Sequence, residues 1–220
     1  DGVRDADSNL VATRGTMQLF AGMKGDTLYV ATNDAGEGND HFIFVAQSPG
    51  TPVNAPWAKA GRVAAWSCFL ADENSNDYEG WFDTTASPLA ATGANGGVLE
   101  GTINLRTELG ALPDSIALAV GVYGNADGGS LLTASQVPAP IVSNGDIEPS
   151  EFLLIRLCDI GGPSCCNGDF NEDGSVDGDD VIAFFSSWDA ASADADANDD
   201  GSVDGDDVIA FFSSWDAGCL

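Results

Sequence analysis

The feature that most constrains this 220-residue chain is a seventeen-residue segment that occurs twice. The segment GSVDGDDVIAFFSSWDA runs from Gly174 to Ala190 and recurs, letter for letter, from Gly201 to Ala217. Each copy joins an acidic loop to an apolar stretch, so each predicts one small structural unit. Because a unit this short cannot bury an apolar face alone, the sequence predicts that the two copies pack against each other.

The acidic loops have the side-chain spacing of a twelve-residue calcium loop. With Asp169 or Asp196 as position 1, positions 3, 5, 7, 9 and 12 also bear oxygen, and position 6 is Gly. A Ca²⁺ ion needs six to eight oxygens around it, the residue at position 7 contributes its backbone carbonyl, and glycine permits the sharp turn at position 6. The sequence therefore predicts two calcium ions, with the ligands Asp169, Asn171, Asp173, Ser175, Asp177 and Asp180 in the first loop and Asp196, Asn198, Asp200, Ser202, Asp204 and Asp207 in the second.

The stretch after each loop predicts an amphipathic helix. Four large apolar residues in each copy are spaced i, i+3, i+4 and i+7, which places them on one helical face. They are Val181, Phe184, Phe185 and Trp188 in the first copy and Val208, Phe211, Phe212 and Trp215 in the second. We expect the two faces to bury each other.

This pattern, DxNxDGxVDxxD followed by an apolar helix and present twice with Asp at position 12, resembles the type I dockerin repeat pair. The resemblance covers Gly168–Trp215. It implies calcium-dependent folding and attachment to a partner protein in bacterial extracellular assemblies. At the positions that resemble the family's recognition site, this chain has Gly178–Asp179 and Gly205–Asp206 instead of hydroxyl or hydrophobic pairs. The resemblance therefore extends to calcium binding but not to a conventional cohesin partner.

The rest of the chain predicts a mainly β fold, an antiparallel β-sandwich over residues 1–157. Short apolar segments are separated by Gly, Asn, Asp and Pro, and no segment has the spacing of an amphipathic helix. Eight segments have this character: TMQLFAG, DTLYVATN, HFIFVAQ, RVAAWSCFLA, YEGWFDT, GVLEGTINL, SIALAVGVY and EFLLIRL.

Alternation of apolar residues is clearest between positions 116 and 123. Ile116, Leu118, Val120 and Val122 share one face, as expected of a strand that is covered by a core on one side. After the sandwich, a Cys/Gly/Pro connector at 158–167 leads into the double calcium module at 168–220. The second part is predicted to be small and α-helical.

The charge of the chain limits its partners. Thirty-five acidic residues stand against seven basic ones, a net charge of −28, which argues against nucleic acid and anionic membranes. No run of eighteen apolar residues is present, so we expect no membrane insertion. Suitable partners are cations, other extracellular proteins or further copies of the chain.

Five cysteines suggest disulfides and therefore an oxidising, extracellular compartment. Cys158, Cys165, Cys166 and Cys219 flank the repeats, and one arrangement pairs Cys158 with Cys165 and Cys166 with Cys219. The connectivity remains open, and Cys68, in an apolar stretch, is expected to be a buried thiol. The first residue is Asp instead of Met, which fits either a mature product whose signal peptide has been removed or an excised segment. The whole chain also resembles the secreted Gly/Asp-rich proteins of planctomycete-type bacteria, which implies secretion to the surface or medium.

The sandwich offers little catalytic chemistry. His41 is the only histidine, is expected at the surface or at a sheet edge, and no nucleophile motif accompanies it. Aromatic residues near the polar loop ADENSNDYEGW suggest sugar stacking instead, with Trp57, Tyr78 and Trp81 as candidates and Trp66 in the core. The opening DGVRDAD and GDTLYVATND also resemble the start of DOMON-like and carbohydrate-binding sandwiches.

These observations predict a non-catalytic extracellular calcium-binding protein that acts in protein assembly or as a structural surface component. The alternative is a carbohydrate-binding module that carries a dockerin-like attachment tail. An enzyme is the third class considered, and a purely structural role for calcium is compatible with the same residues.

Overall fold

The computed structural model describes residues 2–35, 38–74, 78–162, 168–171, 173, 175–198 and 200–217. Contacts within the chain divide it into two compact units, Asp1–Pro163 and Ser164–Leu220. The division falls inside the predicted connector 158–167. The first unit contains the sheets, and the second contains both copies of the repeat.

The first sheet consists of the strands β1 (Asn9–Arg14), β2 (Met17–Lys24), β3 (Thr27–Ala35), β9 (Thr92–Asn95) and β10 (Gly97–Asn104). These strands are antiparallel and lie in the order β1-β2-β3-β10-β9. Two-residue turns join β1 to β2 and β2 to β3. Each turn begins with a glycine of positive φ, Gly15 at 59° and Gly25 at 58°, as tight hairpin turns require.

The second sheet consists of the strands β4 (Asp40–Ala46), β7 (Cys68–Glu73), β8 (Tyr78–Asp83), β11 (Ser115–Tyr123) and β12 (Leu153–Arg156). They are antiparallel and lie in the order β12-β11-β4-β7-β8. A separate two-stranded ribbon pairs β5 (Val53–Asn54) with β6 (Arg62–Val63), and a short helix α1 (Leu105–Leu109) follows β10.

These two sheets confirm the predicted mainly β fold and are consistent with a β-sandwich. Each of the eight predicted segments contains a strand, and RVAAWSCFLA contains parts of two. Strands β1, β5 and β9 and helix α1 were not predicted.

Side chains from both sheets meet in one core. Most of its members lie on β2, β3 and β10 of the first sheet and on β4, β7, β8, β11 and β12 of the second. The predicted inward face of β11, formed by Ile116, Leu118, Val120 and Val122, belongs to this core, which confirms the alternation. Cys68 is also part of it and is 1% exposed, as expected of a buried thiol.

The second sheet is buried on its other face as well. Phe42, Phe44, Phe69 and Tyr123 form a second cluster with residues of the segments 47–67 and 124–152, which cover that face. Trp66 belongs to this cluster and is 8% exposed, so its predicted core position is confirmed. The expectation that β11 has only one covered face is wrong. The nearly continuous apolar run HFIFVA in β4 is typical of a strand buried on both faces.

The second unit contains the two predicted helices, α2 (Gly178–Asp189) and α3 (Gly205–Ala217), with a short 3-10 turn at Ala193–Ala195. Each helix begins inside the acidic loop of its repeat. None of the helices within the described part of the chain is long and apolar enough to cross a membrane.

Candidate metal centre

The last carboxylate of each predicted calcium loop is fully buried and bound to the loop backbone. Oδ1 of Asp180 accepts the N–H of Asn171 at 3.1 Å, and Oδ2 accepts the N–H of Asp177 at 2.8 Å. Asp207 makes the same two bonds, at 3.3 and 2.7 Å, to the residues at positions 3 and 9 of the second loop. Both side chains are 0% exposed. The carboxylate at position 12 therefore links the end of each loop to positions 3 and 9 of the same loop.

The first carboxylate of each loop also organises the loop backbone. Oδ1 of Asp169 accepts the N–H of Asp173, and Oδ1 of Asp196 accepts the N–H of Asp200, both at 3.1 Å. Gly201, at position 6, donates its N–H to Oδ2 of Asp196 at 2.8 Å and has a φ of 86°. This left-handed conformation is the sharp turn that the sequence predicts for the second loop. The equivalent Gly174 lies outside the described residues.

The remaining predicted ligands contact one another within each loop. The side-chain amide of Asn171 donates to Oδ2 of Asp173 at 3.1 Å, and that of Asn198 donates to Oδ2 of Asp200 at 3.2 Å. The backbone N–H groups of the two position-7 serines, Ser175 and Ser202, donate to the position-5 carboxylates, each at 2.9 Å. The position-9 carboxylates, of Asp177 and Asp204, accept the N–H of the residue two positions later, again at 2.9 Å.

The donor set fits a calcium ion. The sequence from 166 to 220 contains fifteen Asp and Glu residues and no Lys, Arg or His. The charge of the buried Asp180 and Asp207 can therefore be balanced only by a cation from outside this segment, and burying an unpaired charge is unfavourable. Carboxylate, amide and carbonyl oxygens are the ligands that Ca²⁺ prefers. Among the described residues, no three His, Cys, Asp or Glu side chains are already drawn around one point.

Loop and helix share residues, so the order of one depends on the order of the other. Asp177 precedes α2 as its N-cap, and Asp177 and Asp180 form a capping box at the start of that helix. The same two residues are predicted ligands at positions 9 and 12. A change at the predicted ion site therefore acts directly on the first turn of α2.

The predicted aromatic faces of the two helices meet. The rings of Phe184 and Phe211 stack with centroids 4.2 Å apart and an interplanar angle of 2°, and both side chains are 0% exposed. Phe170 packs edge-on against both, at 5.4 and 6.1 Å. The other predicted stripe residues are partly buried around this pair. This packing confirms the prediction that each repeat supplies half of a core.

Each helix also reaches the loop of the opposite repeat. Nε1 of Trp188 donates to the backbone oxygen of Asp204, and Nε1 of Trp215 donates to the backbone oxygen of Asp177, both at 3.0 Å. The acceptors occupy position 9 of their loops. These bonds were not predicted from the sequence, although a tryptophan on a packed face usually finds a partner for its N–H. It also missed Phe170, because the equivalent residue of the second repeat is Ala197.

The sugar-binding candidates differ in exposure. Trp81 is 1% exposed and donates its Nε1–H to the backbone oxygen of Thr92 at 3.0 Å, so its predicted exposure is wrong. Its strand turns the ring toward the core between the sheets. Trp57 is half-buried against Phe82, with ring centroids 5.0 Å apart. Tyr78 is 45% exposed, and its ring lies 5.8 Å from that of Trp57.

The prediction that His41 lies at the surface or at a sheet edge is wrong, because β4 is the central strand of its sheet. It is 0% exposed on β4, opposite Asp72 in the pairing with β7. Burial raises the pKa of Asp72, and the nearby His41 opposes that shift. An imidazole enclosed in this way offers no surface to a substrate, so the chain's only histidine carries no catalytic proposal.

Two of the five cysteines, Cys68 and Cys158, lie among the described residues. Cys158 is disulfide-bonded, and Cys68 is a buried free cysteine. Cys165, Cys166 and Cys219 lie outside the described residues, and the predicted connectivity therefore stays a prediction.

Comparison with known proteins adds no relative. The sequence matches no protein-family model. No curated protein is significantly similar to it in sequence.

Proposed function

We propose that this chain is a non-catalytic extracellular protein whose C-terminal unit binds two calcium ions and joins other extracellular proteins or further copies of the chain. The observation that carries the calcium part is the buried pair of carboxylates, Asp180 and Asp207, in a segment without a basic side chain. The disulfide at Cys158 supports an oxidising, extracellular location.

Calcium supplies positive charge to each loop and bridges oxygens that otherwise repel one another. The protein supplies rings of oxygen at positions 1, 3, 5, 7, 9 and 12 and closes each ring onto a helix. Because Asp180 and Asp207 belong to helix and loop at once, ion binding and helix formation are expected to be one process.

The assembly part of the proposal rests on the outer surface of the helices. Ile182 and Ile209 occupy equivalent positions on α2 and α3 and are 67% and 66% exposed. Isoleucine is among the residue types most often buried, and it is exposed here once in each repeat. These two side chains are the candidate contacts of the proposed docking surface.

Calorimetric titration of the full chain with Ca²⁺ tests the first part, and we expect two ions per chain. Light scattering with calcium and with a chelator tests the second part. Calcium-dependent association that is lost in the double variant Ile182→Ser/Ile209→Ser supports the docking surface. Two bound ions without a docking partner would leave calcium as a purely structural element, and no bound ion would overturn the whole proposal.

The second candidate is sugar binding by the sandwich, which the exposed ring of Tyr78 beside the half-buried Trp57 favours. Tyr78→Ala should remove glycan binding, while Tyr78→Phe, which keeps the ring, should retain most of it. Equal binding by both variants, or no glycan binding by the unaltered chain, removes this candidate.

A further inference from the structure

A lysine and an aspartate of the sandwich contact each other inside the protein. Nζ of Lys59 lies 2.5 Å from Oδ2 of Asp40, and the two side chains are 2% and 0% exposed. Lys59 lies in the segment between β5 and β6, and Asp40 is the first residue of β4. The chain has only one other lysine, Lys24, which is exposed.

The contact is closer than an ordinary charge-assisted hydrogen bond, for which about 2.7–2.9 Å is typical. It also lacks hydrogen-bond geometry, since Oδ2 of Asp40 has no hydrogen-bond partner. Because the carboxyl carbon of Asp40 is one bond from Oδ2, Nζ of Lys59 lies within about 3.7 Å of that carbon. This separation is close to the roughly 3–3.5 Å of reacting atoms that are held for attack.

Three backbone oxygens hold the lysine nitrogen in this place. Nζ of Lys59 donates to the carbonyl oxygens of Gly124, Asn125 and Ala126 at 3.1, 2.9 and 3.2 Å. The backbone of the lysine segment is fixed to the same loop by two further hydrogen bonds, Gly128 N to Ala58 O and Ala60 N to Gly129 O. The position of the Lys59 side-chain nitrogen is therefore fixed by the fold.

The other carboxylate oxygen has a donor of its own. The backbone N–H of Asn74 donates to Oδ1 of Asp40 at 3.1 Å. A fixed N–H in this place stabilises negative charge on Oδ1 if the carboxyl carbon becomes tetrahedral. Aromatic side chains line the same face of the sheet, with Phe42 two residues along β4 and Tyr123 opposite Asp40 on β11. The aromatic part of these surroundings favours a neutral pair of groups over two buried charges.

We propose that Lys59 and Asp40 form an intramolecular amide bond. A proton passes from the Lys59 ammonium to Oδ2 of Asp40 after a reorientation of Nζ, which leaves a neutral amine and a neutral carboxylic acid. Nζ then attacks the carboxyl carbon and forms the N–C bond. The bond from that carbon to Oδ2 breaks, and Oδ2 leaves as water with a second proton from the nitrogen. One water is released, no net charge changes, and no oxidant or cofactor is needed.

The proposal assigns to Glu73 the transfer of the proton from the nitrogen to the leaving oxygen. His41 pairs with Asp72 between β4 and β7, so the antiparallel register brings Glu73 beside Asp40. Alternation along both strands places the two side chains on the same face of the sheet. The role of Glu73 is therefore a positioned acid and base.

The amide bond would fasten the segment that covers the outer face of the second sheet to the central strand β4. This covalent closure is independent of calcium and of the C-terminal unit. It goes beyond the proposed function and stands or falls separately from it.

Intact-mass measurement of the reduced, full chain is the test. We expect the mass to be lower than the sequence mass by one water molecule. Trypsin should cleave after Lys24 and Arg62 but not after Lys59, because an acylated lysine is not a substrate. The resulting peptide 25–62 should contain a ring that joins Asp40 to Lys59 in its fragment spectrum.

Matched variants exclude other losses of water, such as ring closure at the six Asp–Gly pairs of the chain. Lys59→Arg keeps the charge and all six pairs but should have its full sequence mass, whereas Lys24→Arg should still lose one water. Asp40→Asn should form the same bond with loss of ammonia instead, and Glu73→Gln should slow the reaction. A full sequence mass of the unaltered chain, with ready cleavage after Lys59, would show a buried ion pair only and overturn the proposal. This mass and cleavage measurement uses the unaltered chain, so it does not depend on whether any variant folds.

Discussion

The indole Nε1 of Trp188 donates a hydrogen bond to the backbone oxygen of Asp204 at 3.0 Å, so the helix of the first repeat is bound to the loop of the second. Trp215 makes the reciprocal bond to Asp177. Since Asp177 and Asp204 are both predicted ligands, each predicted ion site is in contact with the opposite helix. The two sites should therefore bind calcium with positive coupling.

Replacement of one loop's last ligand tests this coupling. In Asp207→Ala, calorimetry should find one ion per chain instead of two, and the remaining site in the first loop should bind about 5- to 150-fold more weakly than in the unaltered chain. Asp216→Asn, an exposed acid just after the packed part of α3, is the matched control and should keep both sites. An unchanged affinity of the first loop in Asp207→Ala would show that the repeats are independent.

The stacked pair of Phe184 and Phe211 should dominate the stability of the C-terminal unit. Phe211→Ala removes a fully buried ring and should lower the free energy of unfolding of the calcium-loaded unit by about 3–5 kcal/mol. Ile209→Ala, at an exposed position of the same helix, should change it by less than about 0.5 kcal/mol. Denaturant unfolding followed by helical circular dichroism measures both, and equal effects would contradict the packing described here.

Glu151 should make the sandwich sensitive to acid. Its Oε1 accepts hydrogen bonds from the backbone N–H groups of Ile141 and Val142. Its Oε2 accepts hydrogen bonds from the backbone N–H of Glu148 and from the side-chain amide of Gln136. Burial raises the pKa of Glu151, but these donors outweigh burial and hold the pKa below its usual value. The carboxylate therefore stabilises the folded state above the ordinary carboxyl pKa, and this stabilisation is lost as pH falls through the lowered pKa.

The variant Glu151→Gln isolates this contribution. At neutral pH it should be less stable than the unaltered chain by about 2 kcal/mol, and the difference should shrink below about pH 4. Glu108→Gln, at an exposed position of α1, is the control and should show no such difference. A Glu151→Gln effect that is constant down to strongly acidic pH would mean that ionisation is not its cause.

Cys68 should be chemically silent in the folded protein. Burial, and to a smaller extent the charge of Glu108, raises the pKa of its thiol to about 12. At mildly alkaline pH the thiolate that reacts with alkylating reagents is therefore scarce, and the side chain is 1% exposed. Peptide mapping after alkylation should find Cys68 unmodified in the native chain and modified after denaturation. Rapid native modification would contradict the position of Cys68 in the core.

The sequence predicted the sheets well where apolar residues alternate or run together. Strands β1 and β9 escaped prediction because they are edge strands whose residues, NLVATR and TGAN, are largely polar or small. The burial of Trp81 was also missed. Its polar neighbours suggested a loop platform, whereas the register of β8 turns the ring toward Leu70 and the core.

The calcium loops could be proposed from the sequence alone because the pattern that predicts them is local. Ligand spacing, the turn glycine and the first helical turn all lie within one continuous segment, so no long-range contact is needed to recognise them. The contact between Lys59 and Asp40 could not be predicted in this way. It depends on the tertiary placement of a loop over a strand, and neither residue stands in a recognisable motif.

We propose that calcium binding and the packing of α2 against α3 are one event. Amide hydrogen exchange on the full chain, in calcium and in excess chelator, tests it most directly because β4 and β11 provide an internal reference. We predict that the chelator abolishes protection throughout α2 and α3 while protection in β4 and β11 is unchanged. Equal protection of α2 and α3 under both conditions would show that the two helices pack without calcium.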